Sequence, residues 1–248
     1  MLTPDDVRVG MNRGELFVEY LPTVMLADTR CVGAEALLRW KHDHVVLTGA
    51  DFIPLIENTM MSGTVTYWVI DTVASELGEW LGAHPDVHVA INVPPEVLGR
   101  GGLGYAASRS GLYARVDQIV LEITERGIPD RLGLEALNFM AEHGVRVALD
   151  DAMLNGANLA LLTRARFSMI KIDRELTAQV RQDKRLPDWL GGLHSLLERS
   201  SLQVVAEGVE SAYQVKMLRA AGVQMAQGYF FSIPIPAHRL MDFYDNHR

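Results

Sequence analysis

Short, almost entirely apolar runs alternate with amphipathic segments along the whole chain, and this alternation constrains the fold more than any other feature. Ile119–Thr124 reads IVLEIT and Val145–Leu149 reads VRVAL. Strands that are buried on both faces have this composition, and such strands are typically parallel and covered by helices. The sequence therefore predicts an α/β fold built on a mainly parallel sheet.

Eight runs have strand character, and their number fits a closed barrel. The runs are Leu16–Tyr20, Cys31–Leu38, His88–Val93, Gln118–Thr124, Val145–Asp150, Ser168–Asp173, Leu202–Glu207 and Met225–Phe231. Helical periodicity is found in Thr64–Leu81, Arg131–His143, Asp188–Ser200, Ala212–Ala220 and Ala237–Asn246. A chain of 248 residues with this alternation has the size of a TIM-like (β/α)8 barrel.

The first two runs break the parallel pattern. Only about ten residues without helical periodicity separate Tyr20 from Cys31, too few for a comfortable parallel crossover. We therefore expect the first strand to lie antiparallel to the second. A doubly wound open sheet is the competing architecture, but it would usually show a glycine-rich phosphate loop after an early strand. GRGGLG at Gly99–Gly104 does not fit that pattern, and we interpret it as a mobile surface turn.

Charge and patterning exclude several classes of protein. The formal net charge is −8, whereas binding to polymeric nucleic acid requires a basic face. The single cysteine, Cys31, cannot form an intrachain disulfide. No basic leader precedes an apolar segment, and no apolar run approaches the length of a membrane span. We expect one domain over residues 1–248 without membrane contact, located in the cytoplasm, alone or within a longer protein.

Polar residues interrupt the apolar runs at or near their C-terminal ends. In a parallel barrel these ends share one face, which is where active sites of this architecture lie. Residues two apart share a face of a strand, so these polar groups can enter the barrel mouth while their neighbours meet the helices. The residues are Glu35, Asn92, Glu122, Asp150, Asp151, Lys171, Asp173, Glu207 and Gln227.

The acidic members of this set predict bound cations. Five carboxylates at one mouth against the ammonium of Lys171 cannot all stay ionised without protons or cations. Oxygen ligands without a histidine or cysteine cluster suit Mg²⁺ or Mn²⁺, and two such ions would support in-line displacement at phosphorus. Taken singly, Asp151 could instead cap a helix and Lys171 could be a rim charge. Their coincidence across seven consecutive strands favours a functional site.

Eight short motifs follow one another along the chain. They are EALLRW at Glu35–Trp40, FIPLIE at Phe52–Glu57, INV at Ile91–Val93, LEITE at Leu121–Glu125, ALDD at Ala148–Asp151, IKID at Ile170–Asp173, VVAEGVE at Val204–Glu210 and QGYFFS at Gln227–Ser232. In this order they resemble the EAL domain, the bacterial phosphodiesterase that opens cyclic di-GMP, and the resemblance spans about residues 16–243. The resemblance implies a barrel with an antiparallel first strand and hydrolysis of one phosphodiester bond to linear pGpG.

The resemblance also implies roles for single residues. The residues implied to bind metal are Glu35, Asn92, Glu122, Asp150 and Glu207, with Asp151 serving the second ion. Those implied to act in catalysis are Lys171, Gln227, Glu125 and Glu207. Lys171 is implied to contact the attacking water or the scissile phosphate, and Gln227 to help hold the metal–water cluster. Glu125 is implied to anchor the loop after Asp151. Those implied to contact substrate are Arg39, Leu21, Leu38 and Asp173.

The sequence departs from the family pattern at two places. Residues 152–158 read AMLNGAN where the family has FGTGYSS, and Leu21 replaces a glutamine that would contact guanine. We therefore expect slow or regulated turnover of cyclic di-GMP, with Mg²⁺ or Mn²⁺ as two ions per site. The alternative is a cyclic di-GMP receptor or partner-binding domain that has lost turnover. Leu154, Leu159, Leu161 and Leu162 near this loop predict a homodimer.

Overall fold

Strand pairing closes a barrel of eight strands and adds one short hairpin strand to it. The computed structural model describes residues 2–124, 129–153 and 162–248. The strands are β1 Leu16–Met25, β2 Cys31–His42, β3 Val45–Thr48, β4 His88–Asn92, β5 Ile119–Thr124, β6 Arg146–Ala152, β7 Met169–Ile172, β8 Gln203–Ala206 and β9 Met225–Ala226. They pair in the order β1-β9-β8-β7-β6-β5-β4-β2-β3, and pairing of β1 with β2 completes the ring.

The antiparallel first strand is confirmed. β1 runs antiparallel to both β2 and β9, whereas β2 and β4 to β9 run parallel to one another. A short turn joins β1 to β2, and Thr29 takes a left-handed conformation there with φ of 62°. The predicted TIM-like (β/α)8 barrel is therefore correct.

Helices cover the outside of this sheet. They are α1 Pro4–Asn12, α2 Gly49–Ile56, α3 Met60–Ala83, α4 Gly102–Ser110, α5 Arg131–Glu142, α6 Arg174–Thr177, α7 Trp189–Leu197, α8 Ala212–Ala220 and α9 Ala237–Asn246. The five helices expected from periodicity are all present, with boundary differences of a few residues. Side-chain caps fix several starts: Asp130 accepts a hydrogen bond from the amide of Gly133, and Ser211 forms a capping box with Gln214.

Sequence reasoning missed α1 and β3. Helix α1 begins with a capping box between Thr3 and Asp6 and has proline in its first turn, a signature visible in the letters TPDD. Strand β3 follows a tight turn in which Asp43 has φ of 53°. Strand β9 ends at Ala226 rather than Phe231, because Gly228, with φ of 149°, lies against the backbone of Val209.

The segment GRGGLG is docked, which corrects its interpretation as a mobile surface turn. Gly99 has φ of 72°, and a Cβ atom there would lie 2.7 Å from the backbone carbonyl of Leu132 at the start of α5. Arg100 also contacts the Asp130 carboxylate at 2.6 Å. Only glycine allows this close approach with a positive φ, so the segment fixes the loop after β4 against α5.

The barrel interior has an apolar floor directly below its polar mouth. Ala90, Val120, Ala148, Met169, Val205 and Met225 form one buried cluster together with Val32. Each of the first six lies two residues before a polar residue of the predicted site, so both sets project into the barrel. Larger apolar clusters lie between the sheet and the helices. The site therefore rests on a buried apolar layer.

His88, two residues before Ala90, is a buried histidine, and its burial makes the stability of the fold depend on pH. Burial lowers the pKa of His88 to about 3, with the positive charge of Arg146 adding to the effect. A Cβ atom on Gly33 would lie 2.6 Å from the His88 ring, so the ring is tightly enclosed. The unfolded chain binds this proton near pH 6.5, so protonation favours unfolding as pH falls below that value.

We expect this histidine alone to lower the free energy of unfolding by about 2 kcal/mol between pH 7.5 and pH 5. Urea titrations of wild type and His88→Gln at several pH values measure the difference between the two proteins. The wild type should lose stability relative to the variant as pH falls from 6.5. A difference that stays constant with pH would show that His88 titrates in the folded state.

Candidate active site

Lys171 lies at the centre of the barrel mouth with four carboxylates around its ammonium group. Its Nζ atom is 2.9 Å from Glu35 Oε2, 2.9 Å from Glu122 Oε1, 3.0 Å from Asp150 Oδ1 and 2.6 Å from Glu207 Oε1. Only 2% of the lysine side chain is exposed. Four strands therefore direct acidic groups to one buried cation.

One lysine cannot satisfy this many carboxylates. An ammonium group has three N–H donors, and Glu122 Oε2 is buried without a hydrogen-bond partner. Burial, with the nearby charge of Glu35 adding to it, raises the pKa of Glu122 well above its usual range. Burial likewise raises the pKa of Glu207 to about 8 and raises the pKa of Asp150. The site without added cations therefore retains protons at neutral pH.

Two amide side chains support Glu35 from either side. Asn92 Nδ2 donates to Glu35 Oε1 at 2.9 Å, and Gln227 Nε2 donates to Glu35 Oε2 at 2.6 Å. Gln227 Nε2 also lies 3.1 Å from Glu207 Oε1. Together with Lys171 these donors keep the pKa of Glu35 below its usual value despite burial, which alone would raise it. Glu35 is thus the most firmly ionised member of the group.

A bulge in β6 brings two consecutive aspartates to the same site. Residues next to each other in a regular strand point to opposite faces, yet oxygen atoms of Asp150, Asp151 and Glu207 lie within 4.8 Å of one another. The register of β6 against β7 shifts between Leu149 and Ala152, and Asp151 takes φ of 53°. Aspartate tolerates this left-handed conformation better than most residues, so the sequence Asp-Asp allows the bulge.

The carboxylates form two overlapping groups that suit divalent ions. Oxygen atoms of Glu35, Glu122 and Asp150 also lie within 4.8 Å of one another, so Asp150 belongs to both groups. Hard oxygen ligands are those preferred by Mg²⁺ and Mn²⁺. The unpartnered Glu122 Oε2 supplies a free ligand atom. The residues present therefore fit divalent cations.

A cavity of about 880 Å³ opens beside these carboxylates. Asn92, Asp150 and Asp151 line one end of it, and Leu38 and Arg39 line the wall formed by β2. Arg39 Nε donates to Glu19 Oε2 at 2.8 Å, and Arg39 Nη1 donates to the Leu38 carbonyl at 3.0 Å. A cationic group and a set of acidic groups thus face the same cavity.

Two residues predicted to contact substrate, Leu21 and Asp173, are not among those that line this cavity. Leu21 lies opposite Glu35 in the β1–β2 ladder and is half-buried, so it presents an apolar group beside that carboxylate. Asp173 Oδ1 accepts from the Glu175 amide at 2.6 Å and caps α6, so this carboxylate has a structural partner. Their substrate contacts stay predictions.

Several expectations fall on residues that the structure does not describe. Glu125 lies outside the described residues, as do residues 154–158 of the altered loop. Leu154, Leu159 and Leu161 also lie outside them, while Leu162 is half-buried. The anchoring role of Glu125, the effect of the loop on turnover and the homodimer therefore stay predictions.

Three residues that line or support the cavity were missed. Arg100 and Arg174 line it, and Glu19 holds Arg39. Arg174 directly follows the IKID motif, which could have drawn attention to it. Glu19 has no comparable local signal, because its partner is 20 residues away in the sequence.

Comparison with known proteins identifies the family. Residues 5–234 match the family model for the EAL domain. The chain belongs to the EAL domain family. The resemblance inferred from the eight motifs is thereby confirmed.

Curated relatives of this EAL domain are larger proteins. It is 30% identical over 242 residues to the bifunctional diguanylate cyclase/cyclic di-GMP phosphodiesterase MucR of Pseudomonas aeruginosa, a match that covers 95% of this chain and 35% of the relative. It is 30% identical over 237 residues to the probable cyclic di-GMP phosphodiesterase PdeB of Escherichia coli, covering 94% of this chain and 45% of the relative. The chain thus spans less than half the length of these two relatives.

Solved structures share the barrel. The PaMucR phosphodiesterase in complex with c-di-GMP has a TM-score of 0.84 at 30% identity, with 95% of this chain and 98% of that chain covered. The EAL enzyme Bd1971 in its form with cAMP and cyclic di-GMP has a TM-score of 0.87 at 25% identity, with 97% and 67% covered. Among the described residues, the EAL domain has no helix with the length and apolar character needed to span a membrane.

The position of Lys171 leads to a prediction about stability. Lys171→Met removes the buried cation and leaves the carboxylates facing one another, so we expect a loss of about 3 kcal/mol or more at neutral pH without divalent ions. The loss should shrink in acid, where the carboxylates bind protons, and on addition of Mg²⁺. Chemical denaturation measures it, with Lys216→Met, at an exposed position on α8, as the matched control. Equal stability of Lys171→Met and wild type in EDTA would contradict this account.

Proposed function

We propose that this EAL domain is a divalent-metal-dependent phosphodiesterase that hydrolyses cyclic di-GMP to linear pGpG. The observation that carries the proposal is the pair of overlapping carboxylate groups sharing Asp150 around Lys171. The named activities of MucR and PdeB support the choice of substrate. The complex of PaMucR with c-di-GMP supports the same ligand for this domain, and we place it in the cavity beside the carboxylates.

Charge balance supports two ions per site. The four carboxylates around Lys171 and the neighbouring Asp151, all ionised, carry with the ammonium a formal charge of −4, which two divalent cations would offset. The first group would use Glu35, Glu122 and Asp150, with Asn92 beside Glu35. The second would use Asp150, Asp151 and Glu207. When bound, Mg²⁺ or Mn²⁺ would neutralise these acids and lower the pKa of a coordinated water.

Other side chains of this domain would bind the phosphate, contact the attacking water and position the carboxylates. Arg39 faces the cavity and would bind a phosphate oxygen of the ligand, since its guanidinium is suited to that anion. Lys171 would contact the attacking water or the scissile phosphate. Gln227 would hold Glu35 and Glu207 in place through its amide group. The reaction adds the water oxygen to phosphorus and releases one ester oxygen, which takes up a proton, so one ring bond opens per water consumed.

The alternative, a receptor that binds cyclic di-GMP without hydrolysing it, differs from the enzyme in one measurable property, which is turnover. Leu21 favours it, because an apolar group beside Glu35 replaces an amide. The complete set of charged residues around Lys171 favours the enzyme, since ligand binding alone does not need four carboxylates at a buried ammonium. We therefore prefer the enzyme to the receptor.

Metal dependence provides the first test. We expect Mg²⁺ or Mn²⁺ to raise the melting temperature of EDTA-treated protein and to support conversion of cyclic di-GMP to pGpG, followed by chromatography. Because Glu122 and Glu207 hold protons without ions, metal binding should release protons, and affinity should rise as pH rises toward about 8. Binding of the nucleotide without turnover in any divalent ion would support the receptor instead. No thermal shift with any divalent ion would contradict the site.

A single isosteric change tests the ligand set. Glu35→Gln removes one charge while keeping the side-chain shape, so we expect weaker metal binding and a loss of turnover of about 100-fold or more. Circular dichroism should be unchanged. Glu79→Gln, the same change at an exposed position on α3, should behave like wild type. Wild-type activity in Glu35→Gln would show that this carboxylate does not bind a catalytic ion.

A further inference from the structure

We propose that Glu19 is a positioning residue that orients Arg39 toward an anionic ligand in the cavity. The inference rests on the proposed function, because it assigns Glu19 a part in binding the phosphate of that ligand. Glu19 belongs to none of the sequence motifs that resemble the EAL family. Its role follows from the strand register and from two hydrogen bonds.

The register of β1 against β2 places Glu19 beside Arg39. Glu19 lies opposite Leu37, and Arg39 lies opposite Phe17, so the two charged residues are diagonal neighbours. Residues paired across an antiparallel ladder share a face, and Leu21 opposite Glu35 continues the same series. Glu19 and Arg39 therefore lie on the face that carries Glu35, displaced toward the open end of the barrel.

Two contacts restrict the guanidinium group. Its Nε donates to Glu19 Oε2 at 2.8 Å and its Nη1 donates to the Leu38 carbonyl at 3.0 Å. A guanidinium has five N–H donors in one plane, so three remain for a ligand. Arg39 is 11% exposed and lines the cavity together with Asn92 and Asp150. Glu19 thus holds the Nε edge and leaves the other edge for a phosphate.

The value of this arrangement is preorganisation. A free arginine side chain loses rotamer freedom when it binds a ligand, and this loss weakens binding. Here Glu19 restricts the side chain before the ligand arrives. The ion pair is largely buried, with Arg39 at 11% and Glu19 at 28% exposure, so removal of Glu19 also lowers folding stability. Ligand affinity, measured on folded protein, is therefore the property in which the positioning role should be detected.

A competing role for Glu19 predicts the opposite change in ligand affinity when this residue is removed. If Glu19 merely neutralises Arg39, its carboxylate competes with the ligand phosphate, and its removal should tighten binding. If Glu19 positions Arg39, removal should weaken binding, and glutamine should restore it because Gln keeps an acceptor oxygen without the charge. The two roles are therefore separated by Glu19→Ala and Glu19→Gln.

The experiment measures cyclic di-GMP binding by calorimetry in Ca²⁺ and steady-state turnover in Mg²⁺ or Mn²⁺. We expect Glu19→Ala to raise Kd and KM about tenfold with kcat nearly unchanged, and Glu19→Gln to remain near wild type. In an Arg39→Ala background, Glu19→Ala should have no further effect, since the residue acts through Arg39. Asp183→Ala, which removes the exposed ion pair with Arg181, is the matched control.

The outcomes separate this inference from the proposed function. Absence of both binding and turnover in the wild type would overturn the proposed function and this inference with it. If the wild type binds the nucleotide, unchanged or tighter binding by Glu19→Ala overturns only the positioning role. The same weakening of binding in the presence and absence of Arg39 also overturns it, because Glu19 would then act by another route.

Discussion

The electrostatic imbalance around Lys171 is the constraint on which the rest of the structure depends. Four carboxylates from four strands meet one buried ammonium on top of an apolar floor. Such a cluster is unfavourable unless protons or cations complete it. The surrounding barrel tolerates it because the large apolar clusters outside the sheet supply stability independently of the mouth. The apolar clusters therefore offset the unfavourable electrostatics of the mouth.

Much of this arrangement is readable from the sequence because it follows a local rule. A parallel strand alternates its faces, so an apolar residue followed two positions later by a polar one places the first in the floor and the second at the mouth. Ala148 with Asp150 and Met169 with Lys171 show the pattern. The short link between β1 and β2 likewise predicts their antiparallel pairing. Both inferences use only spacing and chain direction, which the sequence contains in full.

What could not be predicted depends on contacts between distant segments. The sequence predicts both Asp150 and Asp151 at the mouth, but it does not predict the bulge in β6 that brings their oxygen atoms to the same side, because the bulge breaks the alternation of a regular strand. The docking of Gly99 on α5 depends on a tertiary contact with Leu132. The Glu19–Arg39 pair depends on strand register. The distribution of protons among Glu35, Glu122 and Glu207 follows from burial and from amide donors, neither of which is visible in a run of letters.

Strand β2 carries two residues of the mouth, Glu35 near the floor and Arg39 at the edge of the cavity, and the antiparallel β1 contacts both of them. Near the floor, β1 contributes Leu21 opposite Glu35, where an apolar neighbour strengthens the burial of the carboxylates. Two residues toward the open end it contributes Glu19, which holds Arg39 at the edge of the cavity. A parallel strand would bring its carboxyl end to this mouth, as the other strands do. Because β1 runs the other way, its first half lies near the mouth, where Glu19 contacts the cavity-lining Arg39. The reversed strand thus supports residues of β2 at a mouth whose parallel strands carry the carboxylates.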